Sequence, residues 1–225
     1  MTVRVRIAPS PTGPVHVGNV RAALFNWMFA RHHRGSFILR IDDTDAERSE
    51  QRYEDGIKDG FRWLGLDWDE GVDVGGDRGP YRQSERMDRY REVVQALIED
   101  GHAYYDDRST DELEALRRQA QQEKRHPNFY IRRPDRTASE GVVRFSVPQN
   151  EAIVFDDVIR GTVRFEADVV DDFVILRSNG SPTYHLASST DDIDHAITHV
   201  IRGEDLLSST PKHVLLSRAI GAAEP

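Results

Sequence analysis

The chain contains no cysteine. That absence excludes disulfides, thiol nucleophiles and cysteine-ligated zinc in one step. It also has no apolar run near the roughly 20 residues needed to cross a bilayer, so no membrane partner is expected. The opening residues, MTVRVRIAPSPTG, lack the charged-then-apolar plan of an export signal, and a cytoplasmic location is the expectation. Positive charge is in the minority, with 30 Lys and Arg against 39 Asp and Glu and a formal net charge of −9. Such a field repels polyanions, so a nucleic acid would have to be held by a local basic patch. No internal repeat is present. At 225 residues, 38% hydrophobic and 31% charged, the chain has the makings of one large globular domain or two small ones.

Val3, Val5 and Ile7 alternate with polar residues, the period of a strand. The run Pro9-Ser10-Pro11-Thr12-Gly13-Pro14 is neither helix nor central strand, because proline lacks the N–H donor. An apolar segment over 20–29, closed by basic residues and Gly35, predicts a buried helix with a glycine stop. Residues 36–41 predict a second strand. Tyr53, Ile57, Phe61 and Leu64 recur at helical spacing, with Gly65 as terminator. Strand, loop, helix, strand, helix is the grammar of a parallel α/β sheet. A helix over 86–99 ends at Gly101. Beyond Tyr105 the texture changes to a polar helix over 111–124, a stretch rich in Pro and Arg over 125–141, and short strands over 142–147, 153–155, 158–165 and 172–177. The last of these precedes a Ser-Asn-Gly-Ser turn. From Tyr184 the pattern returns to that of the opening, with a strand over 197–202 and a helix from Thr210-Pro211 to about Ile220, proline standing in its first turn. The expected organisation is therefore residues 1–103 as the first half of an α/β domain, 104–180 as an inserted α+β module, and 181–225 as the start of the second half.

The segment from Arg6 to Asn19 leaves a strand and enters a helix. Such a turn aims backbone N–H groups and the helix dipole at one point, which suits a phosphate. Gly18 permits close approach of a ligand to the backbone, and His16 adds a side-chain donor. The pattern is neither Gly-x-Gly-x-x-Gly nor Gly-x4-Gly-Lys-Ser/Thr. A lone His-x-Gly in a proline-stiffened loop is most often incidental. The whole arrangement is more specific. It resembles the first signature of the class I aminoacyl-tRNA synthetases in its glutamyl form, Arg-x-Ala-Pro-Ser-Pro-Thr-Gly-x-x-His-x-Gly. The resemblance implies a Rossmann-like parallel sheet and the activation of an amino acid by ATP, with magnesium accompanying the phosphates. Catalysis there is positioning and charge stabilisation, each aimed donor contributing on the order of 3 kcal/mol. It further implies His16, Gly18 and Asn19 as catalytic groups, and Ala8, Ser10, Thr12, His16, Gly18 and Glu204 as the ATP contacts.

Three further stretches carry the resemblance. Arg40-Ile41-Asp42-Asp43-Thr44-Asp45 stands at the end of a predicted strand, where ligands sit in open α/β sheets. On its own it reads better as an acidic turn that caps the next helix. The family has Glu where this chain has Asp42, which keeps the charge one methylene shorter. Pro182-Thr183-Tyr184-His185-Leu186-Ala187-Ser188 matches a family stretch that ends in Asn rather than Ser. Val200-Ile201-Arg202-Gly203-Glu204-Asp205-Leu206 matches closely. A glutamate substrate presents two carboxylates and an ammonium, and guanidinium forks suit carboxylates. The resemblance implies Arg6, Ala8, Ser10, Asp42, Tyr184, Ser188 and Arg202 as the glutamate contacts. Weaker matches run over 63–71 and 79–86.

Basic residues gather in the insert, among them Arg117, Arg118, Arg125, Arg132, Arg133 and Arg136, with Phe129 and Tyr130 between them. Basic groups contact phosphates and rings stack on unpaired bases. By composition alone this is a solvated charged segment. The family places the tRNA acceptor end here, which implies Arg117, Arg118, Arg132 and Arg133 as tRNA contacts. His195 and His199 are four apart, but no protein metal site is expected from them. His32 and His33 sit where a helix end favours cations.

The family's second signature is a Lys-x-Ser-Lys-like loop. The three lysines, Lys58, Lys124 and Lys212, form no such pattern, so the loop and a helical anticodon-binding region are expected beyond residue 225. The chain thus resembles the N-terminal catalytic portion of a glutamyl-tRNA synthetase, a monomer acting on L-glutamate and tRNA(Glu). The alternatives are a glutamyl-queuosine tRNA(Asp) synthetase-like modifying enzyme and a non-catalytic relative that binds ATP or glutamate.

Overall fold

The structure, a computed structural model, describes residues 2–45, 47–125, 132, 138–149, 151–166 and 169–225. The chain divides into two compact units. The first comprises Met1–Asp88, Ala187–Leu207 and Ala223–Pro225; the second comprises Arg89–Leu186 and Ser208–Ala222. These bounds differ from the sequence divisions at 103 and 180. Among the described residues no helix is long and apolar enough to cross a membrane.

The first unit is built on a parallel sheet of β1 (Arg4–Ile7), β2 (Ser36–Leu39) and β3 (Glu70–Gly71), in that order. Arg4 stands opposite Ser36 and Ile38 opposite Glu70. Helix α1 (Val17–His32) connects β1 to β2, and α2 (Gln51–Trp63) connects β2 to β3. This is the α/β, Rossmann-like architecture expected. Val5, Phe37, Leu39, Ile41, Ala23, Ala30, Ile57 and Phe61 form one buried cluster between sheet and helices, removing apolar surface that would otherwise order water.

The turn after α1 works differently from the glycine stop expected at Gly35. Arg34 takes the left-handed conformation, φ 54°. Gly35 is needed for closeness, because a Cβ there would lie 2.2 Å from the Val3 carbonyl oxygen, which accepts from Ser36 N–H at 2.9 Å and starts the β1–β2 ladder. Gly65 does close α2 in the left-handed region, φ 72°. The strand expected over 197–202 is not formed. Thr198 meets the Arg4 backbone instead: its Oγ1 accepts from Arg4 N–H at 2.8 Å and its own N–H donates to Arg4 O at 2.9 Å, an oxygen that His199 N–H also reaches at 3.4 Å. A side-chain bond and two converging N–H groups replace the ladder.

The second unit holds an antiparallel sheet, β4 (Ala103–Asp106), β5 (Val142–Phe145) and β8 (Phe173–Leu176), in the order β4-β5-β8. A separate hairpin pairs β6 (Ala152–Asp157) with β7 (Gly161–Glu166). Helix α3 (Met87–Glu99) enters this unit from the first; α4 (Thr110–Gln122) and α6 (Thr210–Ile220) lie within it. The strand expected over 158–165 begins only at Gly161. Asp157 Oδ1 accepts from the N–H groups of Ile159 and Arg160 at 2.8 and 2.9 Å, and this side-chain turn overrides the strand propensity of Val158 and Ile159. Helix α4 starts at a capping box in which Ser109 Oγ accepts from Glu112 N–H and Glu112 returns the bond to Ser109 N–H.

Candidate active site

The loop between β1 and α1 reaches the helix through His16, which is its N-cap. Its Nδ1 accepts from Gly18 N–H at 3.1 Å, while Asn19 Oδ1 accepts from His16 N–H at 3.3 Å. An imidazole that accepts at Nδ1 carries its neutral-form proton on Nε2, so the cap sets the tautomer and leaves Nε2–H as a donor. The first turn of α1 contains no acidic residue, and nothing there opposes an anion. Gly18 has a second reason to be glycine: a Cβ would lie 2.9 Å from His16 Cε1 and 3.0 Å from Nδ1. His16, Gly18, Ser10 and Thr12 are exposed, and Ala8 is half-buried. Donor set, helix dipole and open loop fit a nucleotide polyphosphate.

Asp42 follows β2 and is tied to the same loop, donating its N–H to Pro9 O at 3.1 Å. Its carboxylate takes Arg40 on both oxygens, at 2.7 and 3.3 Å. Arg40 is completely buried. Its Nη1 also donates to Asp192 Oδ1 at 2.7 Å and its Nη2 to Ser188 Oγ at 3.3 Å. Asp192 in turn takes Arg6 in two bonds, 2.9 and 3.1 Å. Beside it, Asp191 accepts from Arg86 Nε at 2.7 Å and from Gln83 Nε2 at 2.8 Å. The carboxylates come from helix α5 (Tyr184–Asp194), where positions 188, 191 and 192 share one face and are buried.

Burial pushes the Asp42 carboxyl up to about 6, against the pull of Arg40. Burial acts on Asp192 in the same sense, but Arg6 and Arg40 together outweigh it and hold that carboxyl far below the usual range. His195, also buried, is pushed down to about 4 by desolvation and by the charge of Arg40.

Of the expected glutamate contacts, Arg6, Asp42 and Ser188 thus belong to one connected cluster. Arg202 is half-buried and follows Ile201, whose carbonyl accepts from the buried Asn26 of α1 at 2.9 Å. Glu204 is exposed at the start of the 3₁₀ turn Glu204–Ser209. Tyr184 falls in the second unit, its ring 5.4 Å from that of His213 and 5.5 Å from that of His185. Arg117 and Arg118 are exposed on α4, Arg118 pairing with Glu114 at 3.0 Å. Arg132 instead donates to buried Asp172 at 3.2 Å and to Val147 O at 2.8 Å. Phe129, Tyr130, Arg133 and Arg136 lie outside the described residues. His195 is not part of α5 and meets Pro80 O at 3.2 Å, while His199 meets Thr198 Oγ1 at 2.9 Å.

Sequence reasoning gave no role to Arg40, Arg86, Asn26, Asp191 or Asp192. The available signal was the helical spacing 188, 191, 192 of polar residues, in a helix that the sequence reading did not assign, together with arginines inside strand patterns.

The catalytic-domain model of the class I tRNA synthetases (E and Q) matches residues 2–225. The chain belongs to this class I synthetase family. It is 49% identical over 236 residues to a glutamate–tRNA ligase of Desulforamulus reducens, covering 100% of the chain and 49% of that protein. It is 50% identical over 235 residues to one of Symbiobacterium thermophilum, with the same coverage. A crystal structure of a glutamate tRNA ligase from Elizabethkingia meningosepticum in complex with its amino acid superposes with a TM-score of 0.90 at 38% identity, covering all of this chain and 48% of that one. The chain spans about half the length of the curated relatives it matches.

Proposed function

We propose that this chain is the substrate-activating part of a glutamate–tRNA ligase. The α-carboxylate of L-glutamate attacks the α-phosphorus of ATP, pyrophosphate leaves, and the resulting glutamyl-adenylate is the donor for the 3′ end of tRNA(Glu). The observation that carries this reading is the loop over 8–16 with its His16-capped helix, at the carboxyl end of a parallel sheet. Class I synthetases use ATP, generally with magnesium; here the ion would enter on the nucleotide's phosphate oxygens. His16, Gly18 and Asn19 form the catalytic turn, and Ala8, Ser10, Thr12 and Glu204 complete the ATP contacts. Arg6 and Arg202 take substrate carboxylates, Asp42 the ammonium, and Tyr184, Ser188, Ala8 and Ser10 the rest of the amino acid. Residues 104–180 receive the tRNA acceptor end, through the exposed Arg117 and Arg118 and through Arg133, while Arg132 is held by Asp172 and Val147. A cytoplasmic monomer goes with this reading.

The test is calorimetric binding of ATP and of glutamate, glutamine and aspartate to the 225-residue chain, followed by ATP–pyrophosphate exchange with and without tRNA. Binding of ATP and of glutamate alone among the three amino acids supports the proposal. Exchange would show that these residues suffice for the chemistry; binding without exchange would make them the substrate-holding part of a longer enzyme. A folded chain that binds neither ATP nor glutamate would overturn it.

A further inference from the structure

Arg6, Asp42 and Ser188 come from three elements: β1, the segment after β2, and α5. The hydrogen bonds connecting them pass through two residues with no assigned part in recognition. Asp192 Oδ1 accepts both Arg6 Nε at 2.9 Å and Arg40 Nη1 at 2.7 Å. Arg40 then distributes its other donors to both oxygens of Asp42 and to Ser188 Oγ. With Nε, Nη1 and Nη2 all engaged on a rigid plane, and no solvent exposure, this guanidinium has a single orientation open to it. We infer that Asp192 and Arg40 are positioning residues: they set the distance and angle between the groups that receive the amino acid's carboxylate and its ammonium. The inference rests on the reading of Arg6, Asp42 and Ser188 as glutamate contacts.

Two features make the effect specific to the amino acid. Asp192 stands between two guanidinium groups, so removing its charge leaves Arg6 and Arg40 repelling each other. Arg6, nearer the end of the chain of bonds, is then driven from its place. The turn at His16 keeps its own capping bonds to Gly18 and Asn19, none of which involves Asp192 or Arg40. Pocket geometry for the amino acid should change while the nucleotide loop stays as it is.

The experiment measures Kd for L-glutamate and for ATP separately, by calorimetry on the full 225-residue chain, with a thermal melt of each variant. Asp192→Asn keeps the shape and removes the charge. Asp191→Asn is the comparison, since that carboxylate is also buried and accepts hydrogen bonds from Arg86 and Gln83, meeting Arg40 Nε as an ion pair at 3.6 Å. The expected result is glutamate binding weakened roughly two- to thirtyfold in Asp192→Asn, the range for changes along a coupled network, with ATP binding unchanged. Asp191→Asn should lower the melting temperature without that selective loss. If Asp192→Asn does not fold, Arg40→Lys, which keeps charge but loses the fork, should show the same selectivity. Wild-type glutamate affinity in a folded variant of either residue would overturn the inference. So would equal weakening of both substrates in step with lost stability, the mark of a purely structural role. A wild-type chain that binds no glutamate would instead overturn the recognition reading itself, and the inference with it.

Discussion

Replacing Gly18 by alanine should leave the fold nearly as stable and yet weaken nucleotide binding. The new Cβ would meet His16 Cε1 at 2.9 Å and Nδ1 at 3.0 Å, closer than carbon and nitrogen tolerate. The obstacle is a side-chain ring rather than backbone, so the imidazole swings away and its 3.1 Å bond from Gly18 N–H is lost. Loss of a cap costs about 1 kcal/mol. Alanine in place of glycine on a helix returns up to about 1 kcal/mol. The two nearly cancel. Under the proposed function there is no such compensation, because the displaced ring would no longer present Nε2–H to a phosphate. A hydrogen bond to a charged group contributes about 1.5–3 kcal/mol, which is roughly ten- to a hundredfold in ATP affinity. The assay pairs a urea midpoint with an ATP titration. Wild-type ATP affinity in Gly18→Ala would refute the reasoning, since it would mean that the imidazole's position is not what glycine protects.

Gly35→Ala should destabilise by about 3 kcal/mol, the upper range for overpacking, because its Cβ meets the Val3 carbonyl, a backbone atom that cannot step aside; a urea midpoint close to wild type would contradict this. The pH dependence is set by two opposed groups. Asp42 binds its proton more tightly in the fold (about 6 against 3.8), so its contribution falls as pH rises between those values; His195 binds its proton less tightly (about 4 against 6.5), so its contribution falls as pH drops from 6.5 to 4. His195→Asn should therefore gain on wild type by up to roughly 3 kcal/mol between pH 6.5 and 4, and denaturant midpoints that stay in constant relation over that range would disprove the shift. Arg132→Ala, which strips a partner from buried Asp172, should cost about 2 kcal/mol of stability. The double change Arg117→Ala, Arg118→Ala should not alter the melt but should reduce the salt dependence of RNA binding; an unchanged salt slope would remove those two residues from the interface.

Much of the fold was legible because local chemistry and tertiary environment agree. Proline forbids helix over 9–14, Gly65 ends α2 in the left-handed region, and Pro211 opens α6 as expected. The misreadings have a common cause. At Gly35, at Thr198 and at Asp157 a partner decided the local conformation: the Val3 carbonyl, the Arg4 backbone, and the turn's own N–H groups. The first two partners are distant in sequence. The third is local but was masked by the strand propensity of Val158 and Ile159.

The candidate site divides in the same way. The loop over 6–19 is contiguous, so its residues, spacing and entry into a helix could be read directly, and its family with them. The buried cluster could not. Asp191 and Asp192 fall in a stretch to which the sequence reading assigned no element, and Arg40 reads as a charge inside a strand. Only the packing of α5 against the ends of β1 and β2 turns them into paired ions. The sequence by itself determined most of the elements, the family and the chemistry of the loop, because those depend on residues within a few positions of one another. The tertiary structure alone decided which charges are buried and which carboxylate faces which guanidinium. Those depend on desolvation and on distance through space, which no local pattern encodes.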